Sequence, residues 1–117
     1  MKNYTVIADR YRAGYGDLAQ VLPSTTSAFG RLVMDATGDG DLSIKVKELI
    51  AFAIAINLRC DDCLAHHAHA VFRAGASRRE VAEMIGVAIL MGGGPSTVYG
   101  VEALRAYDAF AEDALAR

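Results

Sequence analysis

The sequence predicts an all-α fold, and three observations carry that expectation. Nearly every segment repeats its apolar residues at intervals of three and four, the spacing that gathers side chains on one face of a helix. Ser77-Arg78-Arg79-Glu80 has the form of a capping box, in which the serine hydroxyl and the glutamate carboxylate satisfy free amide donors of a first helical turn. No segment sustains the period-two alternation of a half-buried strand.

Taken in order, the first two helices are expected over about Tyr4–Val21 and Ser24–Ala36, separated by Pro23. The following stretch, DATGDGDLSIKV (35–46), imitates a calcium-binding loop, with Asp35, Asp39, Gly40 and Asp41 at loop positions 1, 5, 6 and 7. Val46 stands where the bidentate glutamate is required and Thr37 takes position 3, so the stretch reads as a connection between helices. The third helix, Ile44–Asn57 (IKVKELIAFAIAIN), is almost uniformly apolar after Glu48. A helix apolar all round is buried, here between the bundle and a neighbouring subunit. Asn57-Leu58-Arg59 offers a break, after which Cys60 and Cys63 open a central helix that ends near Ala74, with Gly75 as its stop. From the Ser77 cap, Val81, Met84, Ile85 and Ala88 share one face until GGGP at 92–95 halts the helix. GGGPS lacks the lysine and preceding strand of a phosphate loop, so its glycines serve a close helix crossing or line the mouth of a site. The last helix is expected from about Ser96, with Leu104, Tyr107, Ala111 and Leu115 on its inward stripe.

A length of 117 residues fits one domain, 1–117. The hydrophobic fraction of 53% is high for so short a chain, which implies apolar surface turned toward another subunit. A formal charge of −2, a pI near 5.8 and the absence of a Lys/Arg cluster interleaved with aromatics argue against nucleic acid. The N-terminus has no apolar run of signal-peptide length. The longest uncharged run, Met84–Val101, is broken by GGGPS and makes a poor membrane span. These features lead to the expectation of a cytoplasmic protein with no membrane partner. In that reducing compartment, two close cysteines are more often catalytic or metal-binding than a structural staple.

The chemistry concentrates in RCDDCLAHHAHAVFRAG (59–75), which holds both cysteines and all three histidines of the chain. If the third and fourth helices form an antiparallel hairpin turning near Leu58, Glu48 and His67 lie almost equidistant from the turn. At about 1.5 Å per residue they fall within one turn of each other. A carboxylate in so apolar a helix needs a partner. His67 is the first candidate; Arg59 or an arginine of another subunit is the alternative. At 100° per residue Cys60, Cys63 and His67 share one sector, whereas His66 and His69 point elsewhere as solvated or interface residues. Cys63 and His67 form an i, i+4 pair, so the imidazole can take the thiol proton and leave the reactive thiolate. The positive end of the helix favours the same ionisation at Cys60. The two cues name different attacking sulfurs. Zinc is a rival reading, with Cys60, Cys63 and His67 as ligands and His66 or water as the fourth, although structural sites usually draw ligands from two separated segments. Leu64 after the second cysteine excludes a c-type haem, and a thioredoxin fold would need strands around the pair.

Glu48, eleven intervening residues, Cys60-x-x-Cys63 and three more residues before His67 resemble the signature of the AhpD-like alkylhydroperoxidases, within the wider carboxymuconolactone decarboxylase family. The likeness extends over KVKELIAFAIAINLRCDDCLAHHAHAVFRAGASRREVAEMIGVAILMGGGP, roughly residues 42–96. The resemblance implies a thiol-dependent peroxidase or disulfide reductase acting on hydroperoxides, with Cys63 attacking the peroxide and Cys60 protonating the leaving group and then closing a disulfide. It implies that His67, held by Glu48, relays the proton. No metal or organic cofactor is implied, only a dithiol donor of the lipoyl or thioredoxin type. The family likeness also implies a homo-oligomer, a trimer or a hexamer built as a trimer of dimers. Asp62 stands where the AhpD enzyme proper has a histidine before the second cysteine. Asp61 and Asp62 together put two anions beside the thiols, which raises a thiol pKa unless the carboxylates are turned to solvent. Two other functions compete: a decarboxylase-type lactone enzyme that retains the cysteines, and a zinc-binding structural or interaction module.

Overall fold

The computed structural model describes Met1–Arg117 and contains six helices and no strand: α1 (Tyr4–Val21), α2 (Pro23–Thr37), α3 (Ile44–Leu58), α4 (Asp61–Arg73), α5 (Arg78–Gly92) and α6 (Gly94–Leu115). Each start has a local cause. Asn3 and Ser43 accept the backbone N–H of Val6 and Val46 at the heads of α1 and α3. The Ser77 capping box at α5 is complete: Glu80 N–H donates to the serine hydroxyl, and Ser77 N–H donates to the Glu80 carboxylate. None of the six is long and apolar enough to cross a membrane.

Helices α3 and α6 pack on each other and on both α4 and α5, and α1 lies across α4 and α6. The interior is formed by Phe52 and Ile56 of α3, by Leu64, Ala65, Ala68 and Val71 of α4, by Val81 of α5, and by Ala103 and Ala106 of α6. The small residues on α4 and α6 let the two backbones approach. At the α5–α6 crossing, a Cβ on Gly100 would sit 2.7 Å from Ile85 Cγ2, so glycine is required there by space. Gly92 has the same reason: an added Cβ would collide with Asn57 at the end of α3 and with Ser96, whose hydroxyls and amides already bond to each other. This is the close crossing expected for one glycine of the GGGP run. The other two do not share it, since Gly93 and Gly94 have open space around them.

Three sequence expectations are corrected. Helix α2 begins at Pro23 and α6 at Gly94, each with its proline in the first turn, because a proline there gives up an N–H that has no helical partner. The proline therefore opens α2, with only Leu22 between α1 and α2. The inward face of α6 is Ser96, Gly100, Ala103, Ala106, Tyr107 and Phe110. Of the expected stripe only Tyr107 is fully buried, Leu104 and Ala111 are partly so, and Leu115 is 87% exposed. Close packing selects small residues on that face, which an apolar-stripe reading overlooks. Helix α3 is buried along only one side within the chain, since Ile50, Ile54 and Leu58 are exposed. The 35–46 stretch is the expected connection: Asp39 accepts the Ile44 N–H and Lys47 donates to the Gly38 carbonyl.

Candidate active site

The α3–α4 hairpin builds the site. Helix α3 stops at Leu58 because Arg59 turns into the left-handed region (φ 56°), and the chain reverses directly into the cysteine pair. Cys60 is the N-cap of α4, and its sulfur accepts the backbone N–H of Cys63 at 3.2 Å. A sulfur thus occupies the place where serine or aspartate usually satisfies a first-turn amide. The two sulfurs are joined as a disulfide across Cα atoms 5.1 Å apart, and both cysteines are half-buried.

The reversal also sets Glu48 level with His67, as the count of helical rises predicts. The His67 Nδ1 lies 2.9 Å from Glu48 Oε1. Glu48 is 9% exposed, so its carboxylate is buried with the imidazole as its partner; Arg59, the alternative, makes no such contact. A carboxylate can only accept, so the Nδ1 carries the proton and the Nε2 of a neutral imidazole is left as the basic nitrogen. Cys63 lies one helical turn before that histidine on the same face. Glu48 and His67 form one bonded pair and Cys60 and Cys63 another, both on this hairpin. Both ionisation cues survive: the amide of the first turn at Cys60, and the imidazole one turn beyond Cys63.

The other histidines divide. His66 is exposed, with its ring edge against His67 at 4.9 Å between centroids; loss of surrounding water, then the neighbouring imidazole, holds its pKa below the ordinary value. His69 is half-buried and stacks on Phe110 at 4.6 Å, which corrects the expectation of a solvated side chain; desolvation by that packing, then the charge of Arg73, lowers its pKa. No three His, Cys, Asp or Glu side chains converge in a way that could hold a metal ion. A groove of about 750 Å³ runs between the start of α3 and the end of α4 and touches the Glu48–His67 pair only at Glu48, with Lys45 and Arg73 on its walls. The cysteine pair lies at the other end of α4.

One participant was not legible in the sequence. Lys2, ahead of α1, forms an ion pair with Asp61 between the cysteines (Nζ–Oδ2 2.9 Å). Beside it the buried Tyr4 hydroxyl donates to Glu102, a carboxylate that also pairs with Arg105. Asp62 is turned to solvent. The only available signal was the lysine itself, and a lone lysine near a terminus specifies no partner.

Comparison with known proteins agrees with this architecture. The sequence model of the carboxymuconolactone decarboxylase family matches residues 23–106. An uncharacterized protein of Cupriavidus necator is 43% identical over 95 residues, covering 81% of this chain and 84% of its own. An uncharacterized protein encoded in the cox locus of Paracoccus denitrificans is 31% identical over 96 residues, covering 82% and 86%. The crystal structure of an apo carboxymuconolactone decarboxylase family protein from Legionella pneumophila superposes with a TM-score of 0.91 at 34% identity, covering 94% of this chain and 98% of the other. With a family match over most of its length and the same six-helix path, the chain belongs to the carboxymuconolactone decarboxylase family.

Proposed function

We propose that the protein is an AhpD-like thiol peroxidase and disulfide reductase, with Cys63 and Cys60 as its working couple. The observation that carries this reading is the Glu48–His67 hydrogen bond of 2.9 Å one helical turn beyond a bonded Cys60–Cys63 pair. In the reduced enzyme His67 Nε2 accepts the Cys63 proton. The thiolate attacks the distal oxygen of a hydroperoxide, the O–O bond breaks, and Cys63 becomes a sulfenic acid. The leaving alkoxide takes a proton from the Cys60 thiol and departs as the alcohol. The Cys60 thiolate then displaces the sulfenic hydroxyl, which leaves as water with the proton held on His67, and the disulfide closes. A lipoyl or thioredoxin-type dithiol supplies two electrons and two protons to restore the pair. Glu48 fixes the tautomer and the orientation of the imidazole. The chain is expected to work as a homo-oligomer, a trimer or hexamer, because the outer side of α3 leaves Ile50, Ile54 and Leu58 uncovered. A stable monomer in light scattering at micromolar concentration would refute that assembly.

Peroxide consumption with several candidate dithiols tests the reaction. Cys60→Ser should consume one equivalent and stop at a sulfenic acid that dimedone traps on Cys63; Cys63→Ser should give no adduct. His67→Gln should slow the attack by about 10²-fold or more, the usual loss for a general base. Glu48→Gln should act in the same direction and more weakly, and the double change should cost little more than His67→Gln alone. An adduct on Cys60 would reverse the assignment, and stoichiometric zinc in the purified protein would overturn the redox reading.

A further inference from the structure

The dipeptide between the cysteines is doubly acidic, and its two carboxylates have different surroundings. Asp62 is exposed and shares its charge with water. Asp61 follows the N-cap cysteine directly, is half-buried, and turns away from open solvent: its Oδ1 is buried without a hydrogen-bond partner, and its Oδ2 meets Lys2 Nζ at 2.9 Å. A carboxylate so placed opposes a second negative charge on either sulfur, and partial withdrawal from water makes that opposition stronger than at a free surface. Lys2 is the one cation on it. The lysine is held by Asp61 and by the Tyr99 ring beneath its ammonium (5.6 Å to the centroid), and it shares a groove with Glu102 and Arg105.

We infer that Lys2 is a positioning residue of the thiol site, which acts through Asp61 by cancelling an anion that would otherwise disfavour the Cys60 and Cys63 thiolates. The inference rests on the reading of Cys60 and Cys63 as a working thiol pair. Arg59, in the turn before Cys60, is exposed and makes no ion pair with either aspartate, and the groups facing α4 at this end from the other helices do not supply the same compensation. From α1 the Tyr4 hydroxyl is neutral and is pushed up in pKa, by burial first and then by its bond to Glu102. From α6 Tyr99 is a neutral ring, and Arg105 is paired with Glu102. From α3 Glu48 is committed to His67, and on α4 itself Asp62 adds a solvated negative charge. The Lys2 ammonium is stabilised above its ordinary value, by the Asp61 hydrogen bond before any other cause, so it stays charged wherever a thiol titrates.

The test is a thiolate titration of the reduced protein, by absorbance and by the pH dependence of iodoacetamide alkylation, with any purification tag at the C-terminus. Lys2→Met should leave about threefold less thiolate at a given pH below the midpoint, a rise of roughly half a pH unit. Asp61→Asn should move the midpoint the other way, and Lys2→Met with Asp61→Asn together should return close to wild type. Lys2→Arg should keep the wild-type value. Raising the ionic strength from about 0.05 M to 0.5 M should shrink the Lys2→Met shift, as screening of a partly exposed pair requires. A merely structural latch would give shifts of one sign in Lys2→Met and Asp61→Asn, with no recovery in the double variant; that pattern, or a Lys2→Met midpoint equal to wild type, overturns the inference. The two readings fail separately. A protein that consumes peroxide while its thiols ignore Lys2 refutes this inference alone, and one whose thiols respond to Lys2 without peroxide turnover refutes the peroxidase reading alone.

Discussion

The hairpin of α3 and α4 and the hairpin of α1 and α2 are built from helices of similar length, yet they relate to the interior in opposite ways. The first places Phe52, Ile56, Leu64, Ala65, Ala68 and Val71 wholly out of solvent and carries the cysteines, His67 and Glu48 on the same two elements. The second buries only Tyr4, Ala8 and Thr26, and Phe29, Leu32, Val33 and Met34 of α2 remain open. Both contain apolar residues at helical spacing, so the spacing alone does not separate a core helix from one that stays at the surface. The difference suits the proposed chemistry. A thiol pair and its relay need fixed geometry, which close packing on α4 supplies.

The largest expected contrast is in side-chain truncation. Leu64→Ala should cost about 2–5 kcal/mol in urea unfolding, the range for a buried leucine that leaves a cavity. Leu32→Ala, at a position 59% exposed, should stay within about 0.5 kcal/mol. A loss at Leu32 as large as that at Leu64 would break the comparison and place α2 inside an assembly.

Glycine replacement gives a smaller contrast with a change of sign. Gly100→Ala forces a methyl against Ile85 and should destabilise by about 1–3 kcal/mol. Gly30→Ala in the middle of α2 meets nothing within 4 Å and should stabilise by about 0.5–1 kcal/mol, since alanine favours the helix and restricts the unfolded chain. Thermal unfolding of the two variants measures both. A loss at Gly30 would again reveal a covered α2.

The smallest expected effect is a pH dependence confined to α4, since α1 and α2 carry no histidine. His66 and His69 are held below their ordinary pKa, chiefly by desolvation. Between the lowered folded values and the ordinary unfolded ones, the unfolded chain binds more protons, so stability rises with pH in that window. Their contribution is complete above the ordinary histidine value and is lost as pH falls through the folded values. The unfolding midpoint in urea should therefore drop modestly from pH 7.5 to 5, and His69→Gln should flatten part of that slope. An unchanged slope would mean that the Phe110 stack does not exclude the charged ring.

Much of the site could be read from order and spacing, because it is local to one hairpin. Glu48, Cys60, Cys63 and His67 lie within two helices joined by a single tight turn, so helical rise and rotation fix their relation before any long-range packing is known. The capping box at Ser77 and the stops at Gly75 and at Gly93 within the GGGP run were legible for the same reason: they satisfy or interrupt hydrogen bonds within a few residues. Long-range contacts decided the rest. The inward face of α6 depends on how closely α4 and α5 approach it, which makes Gly100 and Ala103 interior and leaves Leu115 outside. Whether α2 faces core or solvent depends on which surfaces the other helices have already taken. The Lys2–Asp61 pair joins residues far apart in the chain, and no periodicity links them. Helical geometry is a property of neighbours in sequence, so sequence determined the Glu48–His67 pairing. Packing and ion pairing are properties of neighbours in space, so only the tertiary structure could decide which small residues meet and which charge stands beside the thiols.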